Sequence, residues 1–288
     1  MINALEITYP LVSVHWLMQN LDASNLVLLD ATIDKVTANE IPSEFSVKIQ
    51  IKNARFLDLK NKFSDTASDL PNTMLSPKEF EEAAKQLGID KNSAIVVYDD
   101  LGIYSSPRVW WMFKAMGHHN IAVLDGGLPE WIKAGLPIEK ASQYRGKIGN
   151  FTSDYNKNYM SDRSEILMAI KNENLSVLDA RSINRFNGTE IEPREGLRSG
   201  HIPNSINLPY TELIEQGKMK PKEILKTTFS NLEIEDSKLI FSCGSGITAC
   251  ILALGAELLG LQHKSVYDGS WTEWGSLPND IYPLSTRQ

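Results

Sequence analysis

The two halves of this chain carry the same pattern, which limits its possible folds more than any other feature. Val27-Leu-Leu-Asp30-Ala recurs as Val177-Leu-Asp179-Ala, each an apolar run closed by an acid. Ile51-Lys-Asn-Ala-Arg-Phe recurs as Ile202-Pro-Asn-Ser-Ile-Asn. Ile95-Val-Val-Tyr-Asp99-Asp-Leu-Gly102-Ile103 lies over Leu239-Ile-Phe-Ser-Cys243-Gly-Ser-Gly246-Ile247, and Val123-Leu-Asp125-Gly126-Gly-Leu-Pro-Glu130-Trp131 over Val266-Tyr-Asp268-Gly269-Ser-Trp-Thr-Glu273-Trp274. Four blocks in one order, half a chain apart, mark a tandem duplication.

Within each half, short β-branched runs alternate with helical patterns. Strands are expected at Val27–Leu29, Ile95–Tyr98 and Ile121–Leu124, then at Val177–Asp179, Leu239–Ser242 and Ser265–Tyr267. Helices are expected over Pro77–Leu87, with Ser76 as N-cap, and over Ser106–Met116, Ser161–Asn172 and Ile247–Leu259. This alternation predicts an α/β fold of two tandem domains, each a mostly parallel sheet flanked by helices. Residues 141–159 lack periodicity and read as the linker between a domain over 6–140 and one over 160–288. Trp110 and Trp111, in a Trp-Trp-Met-Phe run, are expected in the core or at a domain interface rather than on a ligand.

Composition narrows the function classes. With 42% hydrophobic and 23% charged residues among 288, this is the composition of a globular protein. A net charge of −7 argues against nucleic acid or an anionic membrane as partner. No apolar run approaches the ~20 residues of a spanning helix. The opening residues lack the marks of a signal or transit peptide, so a cytoplasmic location is expected. Two cysteines exclude a disulfide framework, and the histidines, of which His118 and His119 are adjacent, lack ligand spacing; no metal and no other cofactor is expected.

Cys243 follows a buried-strand pattern and precedes Gly244, Ser245, Gly246 and a helical segment. Backbone N–H groups and a helix N-terminus favour negative charge there, and thiolate is the reactive form of cysteine. The glycines permit a tight loop with its amides turned inward, able to stabilise an anion attached to Cys243. The competing reading is a small buried hydrophobe at a strand end. Cys250 lies about 10 Å further along a helix, too far for a disulfide, and reads as packing. The first half carries Asp99 and Asp100 where the second has Cys243 and Gly244, so chemistry is expected in the second domain, with the first as scaffold and cleft wall. A cysteine phosphatase needs Arg six residues after its nucleophile; Ala249 stands there. Arg181, Arg185, Arg194 and Arg198 occupy a turn-rich segment after a strand, where arginines either clamp a small acid or form surface salt bridges.

Taken together, Ile51–Asp58, Pro107-Arg-Val-Trp-Trp-Met-Phe113, Leu124-Asp-Gly-Gly127, Arg185-Phe-Asn-Gly-Thr189, Pro193-Arg194, Ser199-Gly-His-Ile-Pro203 and the Cys loop resemble the tandem-domain rhodanese family over almost the whole chain. Cys-Gly-Ser-Gly-Ile-Thr-Ala is similar to the 3-mercaptopyruvate sulfurtransferase branch; the thiosulfate branch usually carries Cys-Arg-Lys-Gly. The resemblance implies two rhodanese-like domains. It implies that Cys243 takes the donor's sulfur as a persulfide, cradled by the amides of Gly244, Ser245, Gly246, Ile247, Thr248 and Ala249. Pyruvate then leaves, and a thiol or cyanide accepts the sulfur in a ping-pong cycle. Arg185 and Arg194 match arginines that hold the substrate carboxylate. Arg181, beside Asp179, is expected to brace the loop, Arg198 is left open, and His201 is expected in a structural hydrogen bond. The implied partners are a small sulfur donor, 3-mercaptopyruvate or thiosulfate, and a small thiol or thioredoxin-like protein as acceptor.

One departure stands out. Many mercaptopyruvate enzymes carry a histidine just before the Met-Leu that follows the first-domain Phe-x-Asp segment, with an acid upstream, and these are thought to form a proton relay with the loop serine. This chain reads Leu70-Pro-Asn-Thr-Met-Leu75, and Lys60 falls near the acid's place. The resemblance therefore carries substrate binding to Ser245 but not a relay. Thiosulfate:cyanide sulfurtransfer and a non-catalytic persulfide carrier remain the alternatives to 3-mercaptopyruvate sulfurtransfer.

Overall fold

The computed structural model describes residues 4–33, 48–232, 234 and 237–286. The chain divides into two compact units. The first takes Met1–Ser64, Leu75–Tyr155 and Gln216–Lys218, the second Asp65–Met74, Asn156–Glu215 and Met219–Gln288.

The sheet of the first unit has strands β1 (Leu11–Val12), β2 (Leu26–Asp30), β3 (Arg55–Phe56), β4 (Ala94–Tyr98) and β5 (Ile121–Leu124), all parallel, in the order β1-β5-β4-β2-β3. The second has β6 (Met160–Ser161), β7 (Leu175–Asp179), β8 (Ile206–Asn207), β9 (Lys238–Ser242) and β10 (Lys264–Tyr267), all parallel, in the order β6-β10-β9-β7-β8. Position for position the orders are identical. The duplication extends to single backbone angles: Asn53 and Asn204 have φ of 64° and 62°, Gly102 and Gly246 of 97° and 77°, Gly127 and Ser270 of 52° and 49°.

Helices α1 (Val14–Asn20), α2 (Pro77–Gln86), α3 (Ser106–Ala115) and α4 (Gly127–Lys133) flank the first sheet, and α5 (Arg163–Ala169), α6 (Ile183–Asn187), α7 (Lys222–Ser230), α8 (Ala249–Leu258) and α9 (Ser270–Trp274) the second. Strand β4 is buried throughout and β9 is buried from Leu239 on, as continuous apolar runs in a doubly covered parallel sheet must be. Helices α3 and α8 are apolar nearly all round and correspondingly buried, with Trp110 and Trp111 fully in the core. Helix α2 starts in a capping box between Ser76 and Glu79.

The structure moves several expected boundaries. Helix α8 starts at Ala249 rather than Ile247, because the left-handed Gly246 keeps residues 244–248 out of the helix. Helix α5 starts at Arg163, where the Asp162 carboxylate caps the amides of Ser164 and Glu165, and its regular part ends at Ala169. Residues 65–74, expected in the first domain, belong to the second unit: Asn72 donates to Ser245, and the Met74 amide donates to Asp268 Oδ2 at 2.9 Å. The expected linker is, as far as Tyr155, a strap on the first unit. Its Phe151 is fully buried against Phe80, Phe113 and His118.

Candidate active site

Strand β9 lies between β7 and β10, so Cys243 emerges at the carboxyl edge of the sheet's centre, where parallel α/β sheets bind ligands. The residue is 1% exposed and its backbone is tied to α9. Its N–H donates to Ser270 Oγ at 3.2 Å and its carbonyl accepts from Trp271 N at 2.9 Å. The Gly244 carbonyl accepts from the amide of Thr272 at 2.9 Å and from its hydroxyl at 2.6 Å. Ser270 holds this position at φ 49°, costly for a residue with a side chain, where the first half uses Gly127. The serine hydroxyl gives a reason for the strain: it anchors Cys243 while donating to the Tyr267 carbonyl at 2.8 Å.

Between Cys243 and α8, the N–H groups of Ser245, Gly246, Ile247, Thr248 and Ala249 make no hydrogen bond among the described residues. The sister loop of the first unit reveals what such amides do. There Asp99, fully buried, points its carboxylate back into its own loop. Oδ1 accepts from Leu101 N at 3.0 Å; Oδ2 accepts from the amides of Tyr104, Ser105 and Ser106 at 2.9, 3.0 and 2.9 Å and from the Ser106 hydroxyl at 2.6 Å. Burial pushes the Asp99 carboxyl above its ordinary range, and these bonds pull the other way. The loop of the repeat is an anion nest that its own side chain fills. In the second unit the matching amides belong to Ser245, Thr248 and Ala249, and a cysteine stands where the carboxylate was.

Two guanidiniums lie against this loop. A Cβ added to Gly244 would sit 3.2 Å from Nη2 of Arg185 and 3.8 Å from Nη1 of Arg194, so the loop backbone lies close beneath both guanidiniums. Arg194 donates to Ser245 Oγ at 3.2 Å and Thr272 Oγ1 at 3.4 Å. Arg185 is gripped by buried Glu192, which accepts from Nε at 3.2 Å and Nη2 at 2.6 Å. Glu192 also accepts from Arg181 Nη1 at 2.8 Å. The remaining donors of Arg181 go to Asp179 and the Gly200 carbonyl, and its guanidinium covers the Trp271 ring at 4.2 Å. Burial opposes its charge, but the Asp179 and Glu192 carboxylates leave it held above its ordinary range.

The expected site residues are thus brought together: Cys243, the loop 244–249, Arg185 and Arg194. Arg181 braces the segment, as expected. Arg198, left open above, is also a brace, donating to the carbonyls of Gly275, Trp274 and Tyr282 and to Asn279. His201 Nδ1 bonds the Phe186 carbonyl at 2.8 Å and its ring stacks on Phe186, a structural role. Sequence reasoning missed Glu192, Ser270, Thr272 and the contact of Asn72 with Ser245. For Ser270 a signal existed, since a serine replacing Gly127 between repeats marks a hydroxyl that is worth the strain.

A family model described as the Rhodanese-like domain matches residues 13–134 and again 162–277. The chain belongs to the rhodanese family. Two rhodanese-like domains in tandem account for the repeated strand order and the two versions of the loop, one closed on Asp99 and one carrying Cys243. Among relatives, the 3-mercaptopyruvate sulfurtransferase of Mus musculus is 38% identical over 274 residues, covering 92% of this chain and 91% of its own. The mitochondrial thiosulfate/3-mercaptopyruvate sulfurtransferase 1 of Arabidopsis thaliana is 35% identical over 299 residues, covering 96% and 79%. The crystal structure of SseA from Escherichia coli, titled for the rhodanese fold of 3-mercaptopyruvate sulfotransferases, superposes with a TM-score of 0.81 at 30% identity, covering 92% of this chain and 99% of that one.

Proposed function

We propose that this rhodanese is a sulfurtransferase that moves sulfur from 3-mercaptopyruvate, through a persulfide on Cys243, to a thiol or cyanide. The observation that carries the reading is the Asp99 carboxylate held by five donors in the sister loop. It supports the matching amides of Ser245, Thr248 and Ala249 as a cradle for a sulfur anion on Cys243.

In the first half-reaction the Cys243 thiolate attacks the sulfur of the donor. The new S–S bond forms as the C–S bond breaks, and that electron pair passes into the enolate of pyruvate. The enolate carbon then takes the proton of the transferred sulfhydryl, leaving pyruvate and a persulfide anion. In the second, a thiol attacks the outer sulfur, carries it away as its own persulfide, and returns Cys243 as thiolate. Arg185 and Arg194 supply two cationic forks beside Gly244 for the donor's carboxylate. Electrostatic preorganisation of the loop amides stabilises the persulfide charge without a metal or organic cofactor. A small thiol or a thioredoxin-like protein is the proposed acceptor.

Thiosulfate is the second reading for the donor. Its sulfonate suits the same two guanidiniums, and the Arabidopsis relative is named for both donors. Steady-state rates decide between them: kcat/KM higher with thiosulfate than with 3-mercaptopyruvate overturns the choice made here. Protein that releases no pyruvate from 3-mercaptopyruvate, yet accepts sulfur from a persulfide, would be a carrier.

A further inference from the structure

Ser245 is 7% exposed, and its hydroxyl is held in an unusual way. Asn72, at φ 61° in the segment 65–74 of the second unit, directs its Nδ2 to Ser245 Oγ at 3.0 Å and to the Ser245 carbonyl at 3.3 Å. The carbonyl can only accept, so the amide group facing it is the NH2 and not the oxygen. Arg194 Nη2 approaches the same Oγ at 3.2 Å and is itself only a donor. A hydroxyl has two acceptor lone pairs and one proton. Both lone pairs are therefore taken by groups unable to accept, and the proton finds no acceptor among the described residues. It has to go to whatever occupies the Cys243 loop.

We infer that Asn72 is a positioning residue that fixes the Ser245 hydroxyl as a permanent donor to the donor molecule's keto oxygen. This rests on the function proposed above. As the C–S bond of 3-mercaptopyruvate breaks, its electron pair moves into the enolate and charge builds on that oxygen. Ser245 hydrogen-bonds the oxygen and keeps its own proton; the enolate carbon takes its proton from the sulfhydryl, as before. The contact consists of an amide, a guanidinium and a hydroxyl. None of these titrates between pH 5 and 9, so this contact adds no ionisation step to transfer.

The test is Asn72→Asp beside Asn72→Gly, both compatible with a left-handed backbone, with kcat and KM measured from pH 5 to 9 on each donor. Aspartate reverses the polarity: as a carboxylate it takes the Ser245 proton for itself. At pH 8 Asn72→Asp should lower kcat on 3-mercaptopyruvate by about 10²-fold, the loss expected for one missing oxyanion donor. That loss should persist from pH 9 down to pH 5, because an aspartate beside the Arg194 guanidinium stays ionised over the whole range. Asn72→Gly should lose about tenfold at every pH. The inference is overturned if Asn72→Asp matches the wild type at pH 8, or if it loses no more than Asn72→Gly and the losses of both track a lowered melting temperature. Wild-type protein inert to 3-mercaptopyruvate but active with thiosulfate sinks the keto-oxygen assignment and the donor choice together. In that case the same variants on thiosulfate decide whether Asn72 orients Ser245.

Discussion

Glu192 is the carboxylate on which the anion-binding side of the site depends, and Glu192→Gln tests that dependence with little change of shape. The native side chain is buried and takes three N–H donors from two guanidiniums, at 2.6, 2.8 and 3.2 Å. Glutamine keeps one oxygen for Arg181 Nη1 and Arg185 Nε. It sets an NH2 against Arg185 Nη2, replacing the shortest charge-assisted bond with two opposed donors. Arg181 remains neutralised by Asp179, whose carboxylate accepts from its Nε and Nη2. Arg185 has no second carboxylate among the described residues, so it bears the damage. Losing one hydrogen bond to a charged group costs about 2 kcal/mol. For a unit of this size that lowers the melting temperature by roughly 4–8 °C. Truncation to alanine, which leaves the half-buried Arg185 cation without a carboxylate and takes one of two from Arg181, should cost more, about 3 kcal/mol. On the proposed function Arg185 binds the donor's carboxylate in ground and transition state alike, so its loosening should raise KM for 3-mercaptopyruvate about tenfold and leave kcat nearly unchanged. Thermal denaturation and steady-state kinetics on one preparation provide both numbers. Unaltered KM together with an unaltered melting temperature would refute the role assigned to Glu192; a fall in kcat at constant KM would refute the uniform-binding role of Arg185.

Ser270→Gly removes the hydroxyl that holds the Cys243 amide while relieving the strain at φ 49°; turnover should fall about tenfold with melting temperature changed by less than about 3 °C, and unchanged turnover would make the hydroxyl dispensable. In the first unit, burial and the neighbouring Asp99 and Asp30 carboxylates push the Asp100 carboxyl from 3.8 up to about 6. A carboxyl raised on folding destabilises the folded chain once the pH rises above the unfolded value, so the penalty develops between about pH 4 and 6 and is complete at neutrality. Asp100→Asn should therefore stabilise the protein at pH 7, by about 1 kcal/mol because water screens its outer side, and the gain should vanish by about pH 4. Urea midpoints of both proteins at pH 4 and 7 check this, and a gain that is equal at both would contradict it.

Much of the architecture is readable in the residues because its central strands are unbroken apolar runs and because each motif occurs twice. Ala94–Tyr98 and Lys238–Ser242 carry that signal, and with the repeat they fix the sheet centre and the position of the Cys243 loop. Strands of two residues, such as Leu11–Val12 and Arg55–Phe56, are too short for any periodicity. Helix α9 hides within Ser-Trp-Thr-Glu-Trp for the same reason. The polar half of the site resists a different way. Glu192 lies in a turn-rich charged segment, where a buried carboxylate and a solvated one read alike; burial decides, and burial is tertiary. The segment 65–74 joins the second unit through hydrogen bonds of the Asn72 side chain and the Met74 amide, which leave no mark in the hydrophobic pattern. Arg185 and Arg194 lie in the same turn-rich segment as Glu192, where a clamp and a surface salt bridge read alike, and their approach to Gly244 is a tertiary contact.

Whether sulfur rides on Cys243 is tested most directly by intact mass after treatment with 3-mercaptopyruvate, followed by peptide mapping. The wild type and Cys250→Ser should each gain one sulfur atom, located on Cys243, with one pyruvate released per chain. Cys250 is buried and its thiol donates to the Gly246 carbonyl at 3.3 Å, a bond that serine can make as well. Cys243→Ser should gain nothing and release nothing. Sulfur found on Cys250, or pyruvate released by Cys243→Ser, would contradict the account.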